Sequence, residues 1–279
     1  MPNEQEPTSG HLALTVSYDG RDFRGSQIQS EGRSVQGELE RALSLLGQGP
    51  QQVVLAGRTD AGVHAVGQVA SCPDCWPELS SEQLVRAVNA HLVPDAAVLR
   101  IERHPSGFHA RYDARWREYR YRIWSGQNQP LARDWVWRRN ESLELEAMAS
   151  AAGLMQGQHD FAVFAGGGHG VPWSPRRHQR RGTIRRVSIC TCRALAPWWG
   201  PAAGQLSEVR VVADGFLPRM VRSIVAALVD VGRGKQPVDW IPALLATGDR
   251  RRGSGTAPAH GLVLWRVGYG DDEPEADLT

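Results

Sequence analysis

Lysine is almost missing from this chain: 31 of its 32 basic residues are Arg, and Lys235 is the exception. A codon preference for Arg accounts for that ratio, but not for where the arginines cluster. No apolar run reaches about 18 residues, which excludes an ordinary membrane-spanning helix. The start, MPNEQEPTSG, has neither the basic and apolar pattern of a signal peptide nor the Arg-rich pattern of a transit peptide. A cytoplasmic protein is therefore expected. Cysteine is confined to two tight pairs, Cys72 with Cys75 and Cys190 with Cys192. Four thiolates at such spacings could bind zinc. In a cytosolic chain the commoner state is reduced structural thiol. A redox pair would open a helix, whereas Cys72 is followed by Pro73 and an apparent turn.

What is present is a chain able to bury a core. It has 279 residues, 41% of them hydrophobic and 22% charged. At about 150 residues per domain this suggests two domains. The net charge is only +2, but acids and bases are segregated. Between Arg100 and Arg139 stand ten Arg against Glu102, Asp113, Glu118 and Asp134. Between Phe161 and Ser207 there are seven Arg and no acid, and from Asp271 to Thr279 five acids and no base. Basic blocks interleaved with Trp116, Tyr119, Tyr121, Trp124 and Trp173 suit a phosphate backbone with unstacked bases. A solvated basic face is the plainer alternative.

The apolar periodicity sets out an α+β chain. Leu12, Leu14 and Val16 alternate as a strand. Ser34 caps a helix from Val35 to Leu46, with Gly47 as its stop. Strands follow at Gln52 to Ala56 and Val66 to Ser71. Ser80 with Gln83 forms a capping box for a helix to about Leu92, and Ala97 to Glu102 is a fourth strand. The second half repeats the order: a strand at Arg117 to Trp124, a helix at Leu143 to Met155, strands at Thr183 to Cys192 and Gln205 to Ala213. A helix from Pro218 to about Val231, a short helix at Trp240 to Ala246 and a strand at Leu262 to Val267 complete it. Each half matches the split β-α-β pattern of ferredoxin-like and RRM-like folds with antiparallel sheets. The expected organisation is a tail at 1–10, domains at 11–105 and 106–270, and an acidic tail at 271–279. The irregular stretch at 165–181, rich in Gly, Pro and Arg, is either an RNA-contacting loop or a surface excursion.

The loop Gly57-Arg58-Thr59-Asp60-Ala61-Gly62-Val63-His64 lies between two apolar strands. Its glycines permit unusual backbone angles. Arg58 and Asp60, two apart, project together if the loop is extended. A nearby Arg keeps an Asp ionised and able to act as a nucleophile. The same residues would also serve as a surface turn with an Arg–Asp pair.

The run Ala56 to His64 resembles the signature of the tRNA pseudouridine synthase A (TruA) family. Further blocks follow in that family's order: Tyr18-Asp19-Gly20, Phe23-Arg24-Gly25, Ser34-Val35-Gln36, Phe108 to Tyr112, Tyr119-Arg120-Tyr121, Asp160-Phe161, Phe216 to Arg222 and Gly261-Leu262. The resemblance spans about Leu12 to Tyr269. Departures are Ser26 where the family usually has Trp, Pro218-Arg219 where two His are frequent, and the longer insertion after Phe164.

The resemblance implies a pseudouridine synthase fold of two ferredoxin-like halves, with their antiparallel sheets side by side. It implies isomerisation of uridine to pseudouridine at positions 38, 39 and 40 of the tRNA anticodon stem-loop, without metal or other cofactor. It marks Asp60 as the catalytic carboxylate and nucleophile, and Tyr119 as the residue that stacks on the flipped uracil and takes the C5 proton. Arg58 and Arg222 are the candidates for holding Asp60 or a phosphate. It also implies a homodimer. A non-catalytic tRNA-binding or tRNA-folding protein on the same scaffold would need the basic blocks but not Asp60. A zinc-stabilised RNA-binding protein would need the four Cys instead.

Overall fold

A computed structural model of the chain describes residues 10–166, 182–200 and 203–274. The chain separates into two compact units. The first runs to Ala114 and takes in Leu264–Asp272; the second begins at Arg115 and runs to Val263.

The first unit contains β1 (His11–Tyr18), α1 (Val35–Ser44), β2 (Val54–Leu55), β3 (His64–Pro73), α2 (Ser81–Asn89) and β4 (Ala96–His104). β1 lies between β4 and β3 and is antiparallel to both, and β2 pairs antiparallel with β3. The strand–helix–strand–strand–helix–strand order expected for a split β-α-β unit is thus present. Leu12, Leu14 and Val16 of β1 are fully buried, as are Leu39 and Leu43 of α1 and Leu84 and Val88 of α2. Each such side chain contributes roughly 1.5–3 kcal/mol. Both helix starts follow from their caps. Ser34 accepts from the Gly37 N–H, and Ser80 and Gln83 form a reciprocal capping box.

The second unit contains β5 (Ala114–Gly126), β6 (Trp137–Arg139), α3 (Leu145–Gly153), β7 (Gly157–Asp160), β8 (Ile184–Leu195), β9 (Gly204–Ala213), α4 (Met220–Gly232) and α5 (Trp240–Thr247). The order is β5-β9-β8-β7, antiparallel throughout, with β6 parallel to the end of β5. Tyr119, Tyr121 and Ile123 of β5 lie opposite Val211, Val209 and Ser207 of β9, and Cys190 and Cys192 of β8 continue the same face. That face is largely apolar. α3 packs on β8 and α4 packs on α3. The last strand among the described residues is β10 (Leu262–Tyr269), which lies beside β3.

Three features differ from the sequence expectation. The break falls between Ala114 and Arg115 rather than near 105, because residues 105–114 anchor to the first unit. There Ala110 donates to the Ser71 hydroxyl and accepts from the Tyr269 hydroxyl. The last strand, expected in the domain at 106–270, belongs from Leu264 onward to the first unit, beside β3. β6 and β7 were not foreseen; three- and four-residue strands carry no readable period. Most of the basic insertion expected at 165–181, the tail at 1–9 and the end of the acidic tail lie outside the described residues. Among the described residues no helix is long and apolar enough to cross a membrane.

Candidate active site

β2 ends at Leu55 and β3 begins at His64, so the intervening loop carries Arg58 and Asp60. Its shape is enforced at Thr59. The Ser26 hydroxyl accepts from the Thr59 N–H at 2.9 Å, and the Ser26 N–H donates to the Thr59 carbonyl at 3.1 Å. The Tyr18 and Thr59 hydroxyls share a hydrogen bond of 2.8 Å. Burial pushes the Tyr18 phenol up to about 12, against the lowering effect of its bonds to Thr59 and Gln68. Tyr18 therefore stays neutral. Upstream, the Gln68 amide brackets Gly57, donating to its carbonyl at 2.9 Å and accepting from its N–H at 3.3 Å.

Downstream, the Gly62 N–H donates to the Gly20 carbonyl and the Val63 N–H to the Asp60 carbonyl, each at 3.2 Å. A Cβ on Gly20 would lie 2.0 Å from the Val63 carbonyl oxygen, so only glycine lets these two segments approach. Gly62 itself sits at φ +80. The Gly20 N–H donates to His64 Nδ1 at 3.1 Å, which ties the start of β3 to the same corner. Thr59 is buried, Arg58 exposed and Asp60 half-buried. That alternation is the one expected of an extended segment.

In the second unit, Tyr119 is 6% exposed and meets the Phe216 ring edge-on, with centroids 4.9 Å apart. Such pairs contribute about 0.5–1.5 kcal/mol beyond burial. Tyr121, two residues on, is fully buried and donates to the Pro258 carbonyl at 2.8 Å. Burial raises its phenol well above the ordinary value, with the Arg222 charge opposing. Arg222 projects from the first turn of α4. Its Nε donates to the Ala257 carbonyl at 2.7 Å, and the Ala257 N–H donates back to the Arg222 carbonyl at 3.1 Å. Arg219, just before α4, has φ 60, and no other described non-glycine residue has positive φ. That left-handed conformation is uncommon for an L-residue.

Arg58 and Asp60 thus share one loop of the first unit, while Tyr119 and Arg222 belong to the second. The sequence reading did not identify the residues that hold the loop. Ser26 appeared only as a departure from a family pattern and His64 carried no role; Tyr18 entered only within a block of the family resemblance, and Gln68 as a strand residue. Only their pairing with a distant loop reveals what they do.

The arginine cluster is partly a structural network. Glu118 and Arg210, each buried, pair at 3.0 Å, and Arg120 reaches the same carboxylate at 2.7 Å. Glu208, also buried, receives Arg122 at 3.4 Å and Arg193 at 3.3 Å. The counter-charge for the Arg100–Arg139 block therefore comes partly from β9, outside that block. Burial pushes the thiols of Cys72, Cys190 and Cys192 up to about 12; Cys72 and Cys75 belong to the first unit, and Cys190 and Cys192 to the second. Among the described residues no group of three or more His, Cys, Asp or Glu is placed to hold a metal ion.

A family model described as tRNA pseudouridine synthase matches residues 14–113 and 151–270. The tRNA pseudouridine synthase A of Solidesulfovibrio magneticus is 42% identical over 93% of this chain and 91% of its own length. The enzymes of that name from Nitratidesulfovibrio vulgaris and Geobacillus kaustophilus are 40% and 39% identical, over 92% and 94% of this chain and 99% and 95% of their own lengths. Among solved structures, a Cbf5-Nop10-Gar1 complex aligns with 83% of this chain and 48% of its own at a TM-score of 0.30 and 15% identity, too remote to bear on the site. The matched segments include the Asp60 loop, the Phe216–Arg222 segment and β10, and the chain belongs to the tRNA pseudouridine synthase family of isomerases.

Proposed function

We propose that this protein isomerises uridine to pseudouridine at positions 38, 39 and 40 of the tRNA anticodon stem-loop, acting in the cytoplasm as a homodimer. The observation that carries the reading is the clamp on Thr59, which presents Asp60 from a fixed backbone rather than from a mobile turn. The Asp60 carboxylate attacks C1′ of the ribose as the N1–C1′ bond breaks. The released uracil turns, C5 bonds to C1′, and the carboxylate leaves. C5 then gives up its proton, with Tyr119 the group that takes it, and N1 regains one. No atom is gained or lost, so the step requires no redox partner. Arg58 and Arg222 hold the Asp60 carboxylate or a substrate phosphate. A base must leave its stack to react, at a cost of a few kcal/mol. Contacts between arginine and the RNA backbone offset that cost.

The test compares wild type with Asp60→Ala on unmodified tRNA. The expected result is pseudouridine at positions 38 to 40 with wild type and none with the variant, while tRNA affinity stays within about threefold. Equal activity in both proteins would overturn the role of Asp60. An inactive wild type that still binds tRNA would point to the binding-protein alternative.

A further inference from the structure

The second unit contains a cavity of about 200 Å³ that includes none of Asp60, Tyr119 or Arg222. It forms because β6 pairs in parallel with Ile123–Ser125 of β5. Parallel neighbours need a long connection, and the excursion across residues 127–136 becomes its wall. Trp124 anchors that excursion: its indole N–H donates to the Gln127 carbonyl at 2.7 Å, and it packs with Ala132, Val136 and Leu206.

The lining chemistry is specific. Trp124, Trp137 and Val136 supply apolar and aromatic wall. Asn128 and Gln129 supply amides that can both donate and accept. Arg133 and Arg138 supply positive charge, and among the described residues no carboxylate lines the cavity. Arg133 is engaged by the neighbouring Asp134 at 3.4 Å. Arg138 is exposed and donates to the Gly126 carbonyl at 3.4 Å, so its charge is not matched by that contact. His260 closes one side, with its Nε2 3.1 Å from the Val136 carbonyl. The volume lies below the roughly 300 Å³ at which pockets for drug-sized ligands begin. It suits one flat ring system rather than a dinucleotide. Aromatic wall, amides for a base edge and an arginine at the rim are the elements that bind an unstacked base with its phosphate.

We propose that this cavity takes one unstacked nucleobase of the tRNA, with its adjacent phosphate on Arg138, at a nucleotide other than the reacting uridine. Trp124 is five residues along β5 from Tyr119, or about 17 Å at about 3.3 Å per residue. That span equals roughly five stacked nucleotides at about 3.4 Å each, so the reacting base cannot occupy both places. The inference rests on the tRNA-substrate reading above and adds a second point of grip.

The test measures tRNA affinity directly, so that it does not depend on turnover. The full-length protein is titrated with unmodified tRNA at several salt concentrations, as wild type, Trp137→Ala, Trp137→Phe and Arg138→Ala. Base–aromatic stacking of about 1–3 kcal/mol per base corresponds to a loss of about 5- to 140-fold for Trp137→Ala. Trp137→Phe recovers most of it. Arg138→Ala, an exposed substitution that leaves the core intact, weakens binding and lowers the slope of log affinity against log salt by about 1. Unchanged affinity and salt slope in folded Trp137→Ala and Arg138→Ala overturn the proposal while leaving the synthase reading intact. Loss of pseudouridine formation in wild type sinks the synthase reading without touching this measurement.

Discussion

Replacing Ser26 with Ala removes a single oxygen, fully buried, from the first unit. That oxygen accepts the Thr59 N–H at 2.9 Å. Thr59 is itself buried, so its amide is left without that acceptor in a place water does not readily reach. A buried donor stranded in this way costs about 1–3 kcal/mol. If the cost falls on the loop, its open population rises about 5- to 140-fold. Amide exchange at Gly62 and Val63 reports on that opening, because their N–H groups are held by the Gly20 and Asp60 carbonyls. Exchange at both should accelerate by the same factor. The rate of pseudouridine formation at saturating tRNA should fall by about tenfold or more, since small misplacements of a reacting group cost up to about a hundredfold. Tyr18→Phe removes the contact between hydroxyls and the 3.5 Å donation from the Gln68 amide, and its effect should be smaller, about 0.5–1.5 kcal/mol. Exchange within twofold of wild type in Ser26→Ala, together with unchanged turnover, would refute the idea that Ser26 sets the loop.

Two further predictions concern the second unit. Glu118→Ala removes the carboxylate that Arg210 and Arg120 share, and Arg210 is buried. The expected loss of stability in urea unfolding is about 3–5 kcal/mol, and adding Arg210→Met should cost less than the two single losses combined; a loss under about 1 kcal/mol for Glu118→Ala would show that the charge is not held in a low-dielectric site. Burial lowers the His260 imidazole below its ordinary 6.5, with the Val136 carbonyl and Asp134 opposing and Arg222 adding to the depression. As pH falls below that value, the unfolded chain takes up the proton first, so stability is lost until the pH passes the folded value. His260→Asn should flatten that part of the curve of stability against pH, and an unchanged curve would remove His260 as its source.

The local elements were legible in the sequence because their causes are local. The Ser34 and Ser80 caps lie within three residues of the amides they hold. The alternation of Leu12, Leu14 and Val16 needs nothing beyond its own strand. The Asp60 loop was legible too, as a glycine-flanked turn between apolar strands. Its chemistry came from the resemblance of the run from Ala56 to His64, not from spacing.

What tertiary structure decided is partnership across long separations. Ser26 meets Thr59 33 residues away, and Tyr18 meets it 41 away. Glu118 meets Arg210 across 92 residues, turning part of an apparent RNA-binding charge block into internal ion pairs. The final strand returned to the first unit because its neighbour there is β3, which no local period encodes. A sequence can state that a Ser, a Tyr and an Arg are present at fixed positions. Which atom each one meets is set only when the strands pair, because a hydrogen bond or a buried ion pair acts over about 3 Å and the chain brings those atoms together only by folding.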